Sequence, residues 1–312
     1  MLSISLAIPA FIAGVVFLYK GSDILVDGTS KTAMRLGISS LIISVILVGF
    51  GTSAPEFAIS VGAAAQNEAD ISIGNIIGSC IANLFLVLGL SAVIRPISVN
   101  KCIFKREFFI VLLTTIILVI FSYFGLLDNY HVFGGIVFLL LFSAFIYFFF
   151  RCAKKERAKS QKFEEGSLPK NILFIILGII GVVLGAYLLI ESAITIADFL
   201  KIDKIIIALS MVAIGTSLPE LVVSAMAALK NESDIAIGNV LGSNVFNILL
   251  ILGASALFIP LNAIHAMDHL LILLGVTIIS FPIFYTGRVI SRIEGVFMLI
   301  IYSLFMWYIF FL

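Results

Sequence analysis

The sequence predicts an all-α membrane protein, with ten transmembrane helices arranged as two inverted-topology five-helix repeats. Three observations predict it. Of the 312 residues, 62% are hydrophobic and only 12% are charged, with a mean hydropathy of +1.23; a water-soluble domain of that length needs far more polar surface. Apolar runs of about 18 residues or more, enough to cross a bilayer, recur along the whole chain. The chain also matches itself without a gap when shifted from residue 51 to residue 215: of the 46 positions in 51–96, 24 are identical in 215–260. The net charge of +1 leaves no basic domain for nucleic acid. Cys80, Cys102 and Cys152 form no even framework, so disulfides are not expected to matter.

The first helix is expected over 4–33. Its leading residues, MLSISLAIPA, lack the basic start of a secretory signal and are read as helix. Within it Lys20 and Asp23 are expected to pair with each other or to reach an interface, and Asp27 to line a vestibule. The second helix, 38–66, contains Gly51-Thr52-Ser53-Ala54-Pro55-Glu56. Pro55 has no N–H and its ring crowds the preceding turn, so the helix should kink and free carbonyl oxygens. In hydrocarbon that is tolerable only where the freed groups face protein or a cavity. Thr52 and Ser53 lie four and three residues before Glu56, which on a continuous helix puts all three on one face.

The third helix, 70–94, adds a polar line. Asn75, Ser79 and Asn83 recur at i, i+4 and i+8, the spacing of one helical stripe turned toward other helices. Helices over 103–125 and 129–151 are simply apolar. The stretch 152–168 reads as a short, charged, mostly structureless cytoplasmic linker between a first repeat, 1–151, and a second, 169–312.

The second copy runs through helices at 169–198, 203–230, 234–259, 265–286 and 291–311. Gly215-Thr216-Ser217-Leu218-Pro219-Glu220 matches the first hexapeptide, and Asn239, Ser243 and Asn247 match the first stripe. Gly14 and Gly21 meet Gly178 and Gly185, while Cys80 falls where the second copy has Asn244. Five helices per copy is an odd number, so the second copy enters the bilayer from the opposite face, with a site near the midplane between copies. Basic residues collect on one set of loops: Lys31, Arg35, Arg95, Lys101, Lys105, Arg106, seven in 151–170, Lys230, Arg288 and Arg292. Only Lys201 and Lys204 lie on the other. The first set is therefore expected in the cytoplasm, which leaves both termini outside a cell membrane.

Two copies of a carboxylate beside Thr, Ser and Pro inside apolar helices are hard to read as inert, because each charge is expensive to insert. Pooling the copies brings together Glu56, Glu220, Thr52, Thr216, Ser53, Ser217, Ser79, Ser243, Asn83 and Asn247. The donor atoms are oxygens, which suits a hard cation such as Ca2+ or Na+. No His or Cys stripe accompanies them, which argues against zinc or copper. A cation channel shares such polarity but needs no repeat. No enzyme chemistry, cofactor or obligate protein partner is implied; the lipid bilayer is the one partner the composition requires.

GTS-x-PE followed by GN-x-x-GS-x-x-x-N, twice within ten helices, resembles the alpha repeats of sodium/calcium exchangers of the calcium/cation antiporter superfamily. The resemblance covers essentially the whole chain. It implies a Na+/Ca2+ antiporter in which Glu56 and Glu220 bind both ions. Thr52 and Thr216 would contribute backbone oxygens, and Ser53, Ser217, Ser79 and Ser243 would help bind Na+. The carbonyls of Gly49 and Ala213 would face sodium sites. The first and sixth helices would be a long pair that slides past the core. Asn247, the match of Asn83, stands where potassium-dependent relatives and some prokaryotic members carry Asp, which argues against K+ co-transport. The alternative within the same superfamily is a H+/Ca2+ antiporter, whose motif resembles GNAxE more than GTSxPE.

Overall fold

A computed structural model describes residues 4–99, 104–159, 167–200, 215–285 and 288–311. Positions 201–214, which include Lys201, Lys204 and Ala213, lie outside the described residues, as do Lys101, Cys102 and 160–166 of the linker. The described chain is almost entirely helical: α1 (Ile4–Leu36), α2 (Ser40–Thr52), α3 (Ala54–Ala65), α4 (Ala69–Ile94), α5 (Phe109–Tyr123), α6 (His131–Lys159), α7 (Leu168–Phe199), α8 (Leu218–Leu229), α9 (Ser233–Ser255), α10 (Met267–Tyr285) and α11 (Arg292–Phe311). Eight of these are long and apolar enough to span a membrane, and α2 with α3 makes a ninth, bent span. This is an integral multi-pass membrane protein.

Burial sorts the helices. The most apolar stretch of α9 is 94% buried and that of α4 78%, whereas those of α1 and α7 are 28% buried. The two polar stripes therefore run through the centre, and α1 and α7, like α6 at 28% and α11 at 22%, lie toward the outside. Those two cross each other at glycines: a Cβ on Gly14 would lie 2.9 Å from the Gly185 carbonyl, and one on Gly21 2.7 Å from the Val182 nitrogen. Removing side chains is what lets two backbones approach this closely. In the centre, Gly242 of α9 packs on Val45 of α2 in the same way, 2.7 Å from its carbonyl.

Several expectations change. The helix expected over 38–66 is broken: α2 and α3 meet at 49°, with Ser53 as the hinge at φ −79° and ψ 9°. Pro55 falls in the first turn of α3, where its missing N–H removes no helical bond. The stretch from 152 to 159 is helical and continues α6 beyond its expected end; Ala, Lys, Glu and Arg are strong helix formers, so charge there extends a helix into water instead of ending it. Among the described residues four segments widen to π geometry: Ser44–Val48, Ala82–Val87, Phe104–Phe108 and Phe246–Leu252. Such widening frees backbone groups and recurs near functional sites.

Lys20 and Asp23 do not pair. Lys20 stands over the Tyr19 ring, and Asp23 binds Lys230, 2.6 Å away. Lys230 also reaches Asp27 at 2.6 Å and the Asp23 carbonyl at 2.9 Å, and nearby Ser30 donates to Glu232 at 2.6 Å. These contacts tie outer helix α1 to the end of α8 and the start of α9. Lys230→Met should lower the melting point in detergent by the equivalent of about 1 kcal/mol, a value kept small by the partial exposure of all three side chains. The gap between variant and wild type should narrow in high salt; an unchanged melting curve would contradict this.

Candidate functional site

The site is assembled where the two hinge regions face the two stripes. Ser53 and Ser217 each end a short stretch at nearly the same backbone angles, φ −79°, ψ 9° and φ −83°, ψ 6°, and each is followed by a helix with Pro in its first turn. Glu56 and Glu220 sit in those first turns, where the positive end of the helix dipole favours a carboxylate. Both are fully buried, as are Thr52, Thr216, Ser53, Ser217, Ser79, Ser243, Asn83 and Asn247. The supporting turns repeat as well: Asn67 and Asn231 adopt φ 65° and 63°, just before α4 and α9.

Hydrogen bonds cross between the halves. Ser53 Oγ donates to Glu220 Oε1 at 3.1 Å, and Ser243 Oγ lies 3.4 Å from the same atom. Thr216 and Ser79 stand beside Glu56. Each carboxylate thus faces a stripe or hinge hydroxyl of the other copy. Thr52, Ser53 and Glu56 all stand against the second half: Thr52 meets Asn239, Ser53 meets Glu220, and Glu56 stands beside Thr216. The 49° break at Ser53 separates the end of α2 from α3 between them.

The threonine hydroxyls are already engaged. Thr52 Oγ1 lies 3.0 Å from Asn239 Oδ1 and 3.1 Å from the Val48 carbonyl. Its counterpart, Thr216 Oγ1, lies 3.2 Å from Ser79 Oγ and 3.5 Å from Asn75 Oδ1. Asn75 donates to Ser60 at 2.9 Å and Asn239 to Ser224 at 3.0 Å, a matched pair of struts. Asn239 also donates to the Glu220 carbonyl at 3.2 Å. Asn75 and Asn239 therefore hold the hinges instead of offering free oxygens. Ser243 Oγ lies 3.3 Å from the Gly49 carbonyl, which places Gly49 at the same spot. Ala213, the matching position, is outside the described residues.

What remains is a concentration of unpartnered polar atoms. Fourteen buried side-chain N and O atoms among the described residues have no hydrogen-bond partner, and seven belong to this set: both oxygens of Glu56, Oε2 of Glu220, Oγ of Ser217, Oδ1 of Asn83 and both amide atoms of Asn247. Such groups are expensive to bury unsatisfied, and unpaired carboxylates most of all. Six of the seven are oxygens. Two carboxylates ringed by hydroxyl, amide and carbonyl oxygens form a dry, hard donor set that matches a cation preferring oxygen. Among the described residues no group of three or more His, Cys, Asp or Glu is placed to hold a metal ion, so the formal charge at this site is that of two glutamates.

Sequence reading overlooked Ser60 and Ser224, though their identity across the copies was a usable signal. It also noted Asn244 only as the position matching Cys80. Asn244 hydrogen-bonds Asn83, and its counterpart being a cysteine left the repeat silent on this.

Comparison with known proteins adds four findings. The family described as sodium/calcium exchanger protein matches residues 6–151 and 170–311. The sodium/calcium exchanger MaX1 of Methanosarcina acetivorans is 32% identical, with 96% of this chain and 97% of that protein aligned. Inner membrane protein YrbG of Escherichia coli is also 32% identical, over 82% of this chain and 81% of its own length. Among solved structures, the sodium/calcium exchanger from Methanococcus jannaschii superposes with a TM-score of 0.86 at 33% identity, covering 97% of this chain and 98% of that one.

Proposed function

Because the chain belongs to the sodium/calcium exchanger protein family, we propose that it exchanges Na+ for Ca2+ across the membrane by alternating access, at a midplane site built by both halves. It is a transporter and not an enzyme, and its ions are cargo, with no cofactor. The carrying observation is the pair of fully buried glutamates, Glu56 and Glu220, amid unpartnered oxygens.

In this reading Glu56 and Glu220 bind both ions. Ser53, Ser217, Ser79 and Ser243 bind Na+ through hydroxyl oxygens. Thr52 and Thr216 contribute backbone oxygens, in keeping with the engagement of their hydroxyls. Gly49 and Ala213 contribute carbonyls, and Asn83 and Asn247 amide oxygens. Two glutamates neutralise one Ca2+, or two Na+. Occupancy is then exclusive, since both ions need the same carboxylates. A bare doubly negative site is expensive to carry past an apolar barrier, so the outer helices move only when the site is loaded. That gives exchange without leak. Replacement of one Ca2+ by more than two Na+ moves net charge and responds to voltage.

The topology follows the same reading. Nine spans are described, and α8 falls within the helix that the sequence predicts over 203–230, which would be the tenth. Five per half makes the copies inverted, with the repeats at 1–151 and 169–312 and the linker 152–168 between them. The basic loops place that linker in the cytoplasm of a cell and both termini outside.

The test is calcium flux in proteoliposomes with one gradient imposed at a time. An outward Na+ gradient should drive Ca2+ uptake; a pH gradient without Na+ and a K+ gradient should not. Uptake driven by pH alone would replace Na+ with H+ as the coupling ion. Ca2+ flux with no trans ion would make the protein a channel.

A further inference from the structure

We propose that Asn244 is a positioning residue that fixes which end of the Asn83 amide faces the ion. The inference rests on the exchanger reading above and concerns a residue that the motif leaves out. Asn244 Nδ2 donates to the Cys80 carbonyl at 3.2 Å, and Asn83 Nδ2 donates to Asn244 Oδ1 at 3.1 Å. A backbone carbonyl can only accept, so the amide nitrogen of Asn244 must be the atom beside Cys80. Its oxygen then faces Asn83, and only the Asn83 nitrogen can meet it. The Asn83 oxygen is thereby turned the other way, where it is buried and has no partner. Reversing either amide would place two oxygens, or two donors, in contact.

This chain of bonds begins just before α4 widens at Ala82–Val87, in the segment of backbone nearest Asn83. Asn83 lies one turn beyond Ser79, which meets Thr216 beside Glu56. The preset oxygen therefore belongs to the stripe that faces the carboxylates. Cys80, Asn244 and Asn83 are all fully buried, so water does not compete for these bonds.

The second half differs. The residue matching Asn244 is Cys80, whose thiol lies 4.0 Å from the Asn244 backbone carbonyl and stands beside Asn247. A thiol is a weak donor and a weak acceptor, so it does not select one end of an amide. Asn247, the match of Asn83, has no hydrogen-bond partner at either amide atom. The site thus has one amide oxygen preset by a second amide, and one amide beside a thiol. Fixing a ligand through an outer partner is a general way of tuning ion affinity, and loss of such a partner lowers affinity about tenfold or more.

The experiment is a double-mutant cycle on the Ca2+ dependence of Na+-driven uptake in proteoliposomes. Asn244→Leu, of similar volume, should raise the KM for Ca2+ about tenfold, with kcat changed far less. Asn83→Ala should raise KM as well, and adding Asn244→Leu to it should bring no further rise. In an Asn83→Asp background, where both terminal atoms are oxygens, Asn244→Leu should leave KM unchanged. If Asn244→Leu does not reconstitute, Asn244→Ser takes its place in the same cycle. Independent, multiplying effects of the two positions would overturn the proposal, as would a wild-type KM in Asn244→Leu or a fall in kcat alone. A wild type that takes up no Ca2+ under a Na+ gradient would instead overturn the exchanger reading itself.

Discussion

Glu220→Gln, and separately Glu56→Gln, should reduce Na+-driven Ca2+ uptake to background. Glutamine keeps the size of the side chain and one oxygen but removes half of the site's formal charge. The site is fully buried, so water cannot make up the deficit. Removing one member of a buried charge pair costs about 3–5 kcal/mol, equivalent to roughly a hundredfold or more in ion affinity. Folding should not suffer, because each glutamate has at least one unpartnered oxygen in a dry setting and the amide is less expensive to bury there. Two measurements therefore separate. Without Ca2+, the variants should melt no lower than wild type. With Ca2+, wild type should be stabilised as any protein is by a ligand of its folded state, and the variants should not. Near-normal uptake in both variants, or a Ca2+-dependent rise in their melting points equal to that of wild type, would remove the two glutamates from the site.

Gly178→Val should abolish both a well-folded preparation and transport. A Cβ at Gly178 would lie 2.6 Å from the Leu25 Cβ, 2.7 Å from its Cα and 2.8 Å from its nitrogen. Two of those atoms are backbone, so no rotamer change relieves the clash; α1 and α7 must separate along their crossing. Overpacking a tight contact commonly costs about 1–3 kcal/mol, and a branched side chain against backbone belongs at or above the top of that range. Gly181→Ala offers a graded comparison, since its Cβ would come no closer than 3.2 Å to the Gly21 Cα. It should reconstitute and transport, with a modest loss of stability. Equal behaviour of the two variants in melting and uptake would show that the crossing is looser than these distances imply.

Much of this architecture was legible before any coordinates. Apolar runs mark spans because a bilayer demands about 20 consecutive apolar residues. The match of 51–96 with 215–260 reappears as matched bonds: Thr52 with Asn239 and Thr216 with Asn75, Asn239 with Ser224 and Asn75 with Ser60. The matched glycines at 14, 21, 178 and 185 reappear in the crossing of α1 and α7. Other features were not legible. Nothing local to Lys20 or Asp23 says that the acid binds Lys230, some two hundred residues away. The break at Ser53 was signalled by Pro55, but its direction was not, and the direction decides which carboxylate each hydroxyl meets.

The sequence by itself determined where the apolar spans lie, that the chain is duplicated, and which side chains must share a buried polar face. All three follow from local rules of hydropathy, helical period and repeated spacing. The tertiary structure alone decided that Ser53 donates to Glu220, that Asn83 donates to Asn244, and that Lys230 ties α1 to the end of α8. A helical period fixes the face on which a side chain stands; which groups meet that face depends on how two distant helices are bent and placed against each other.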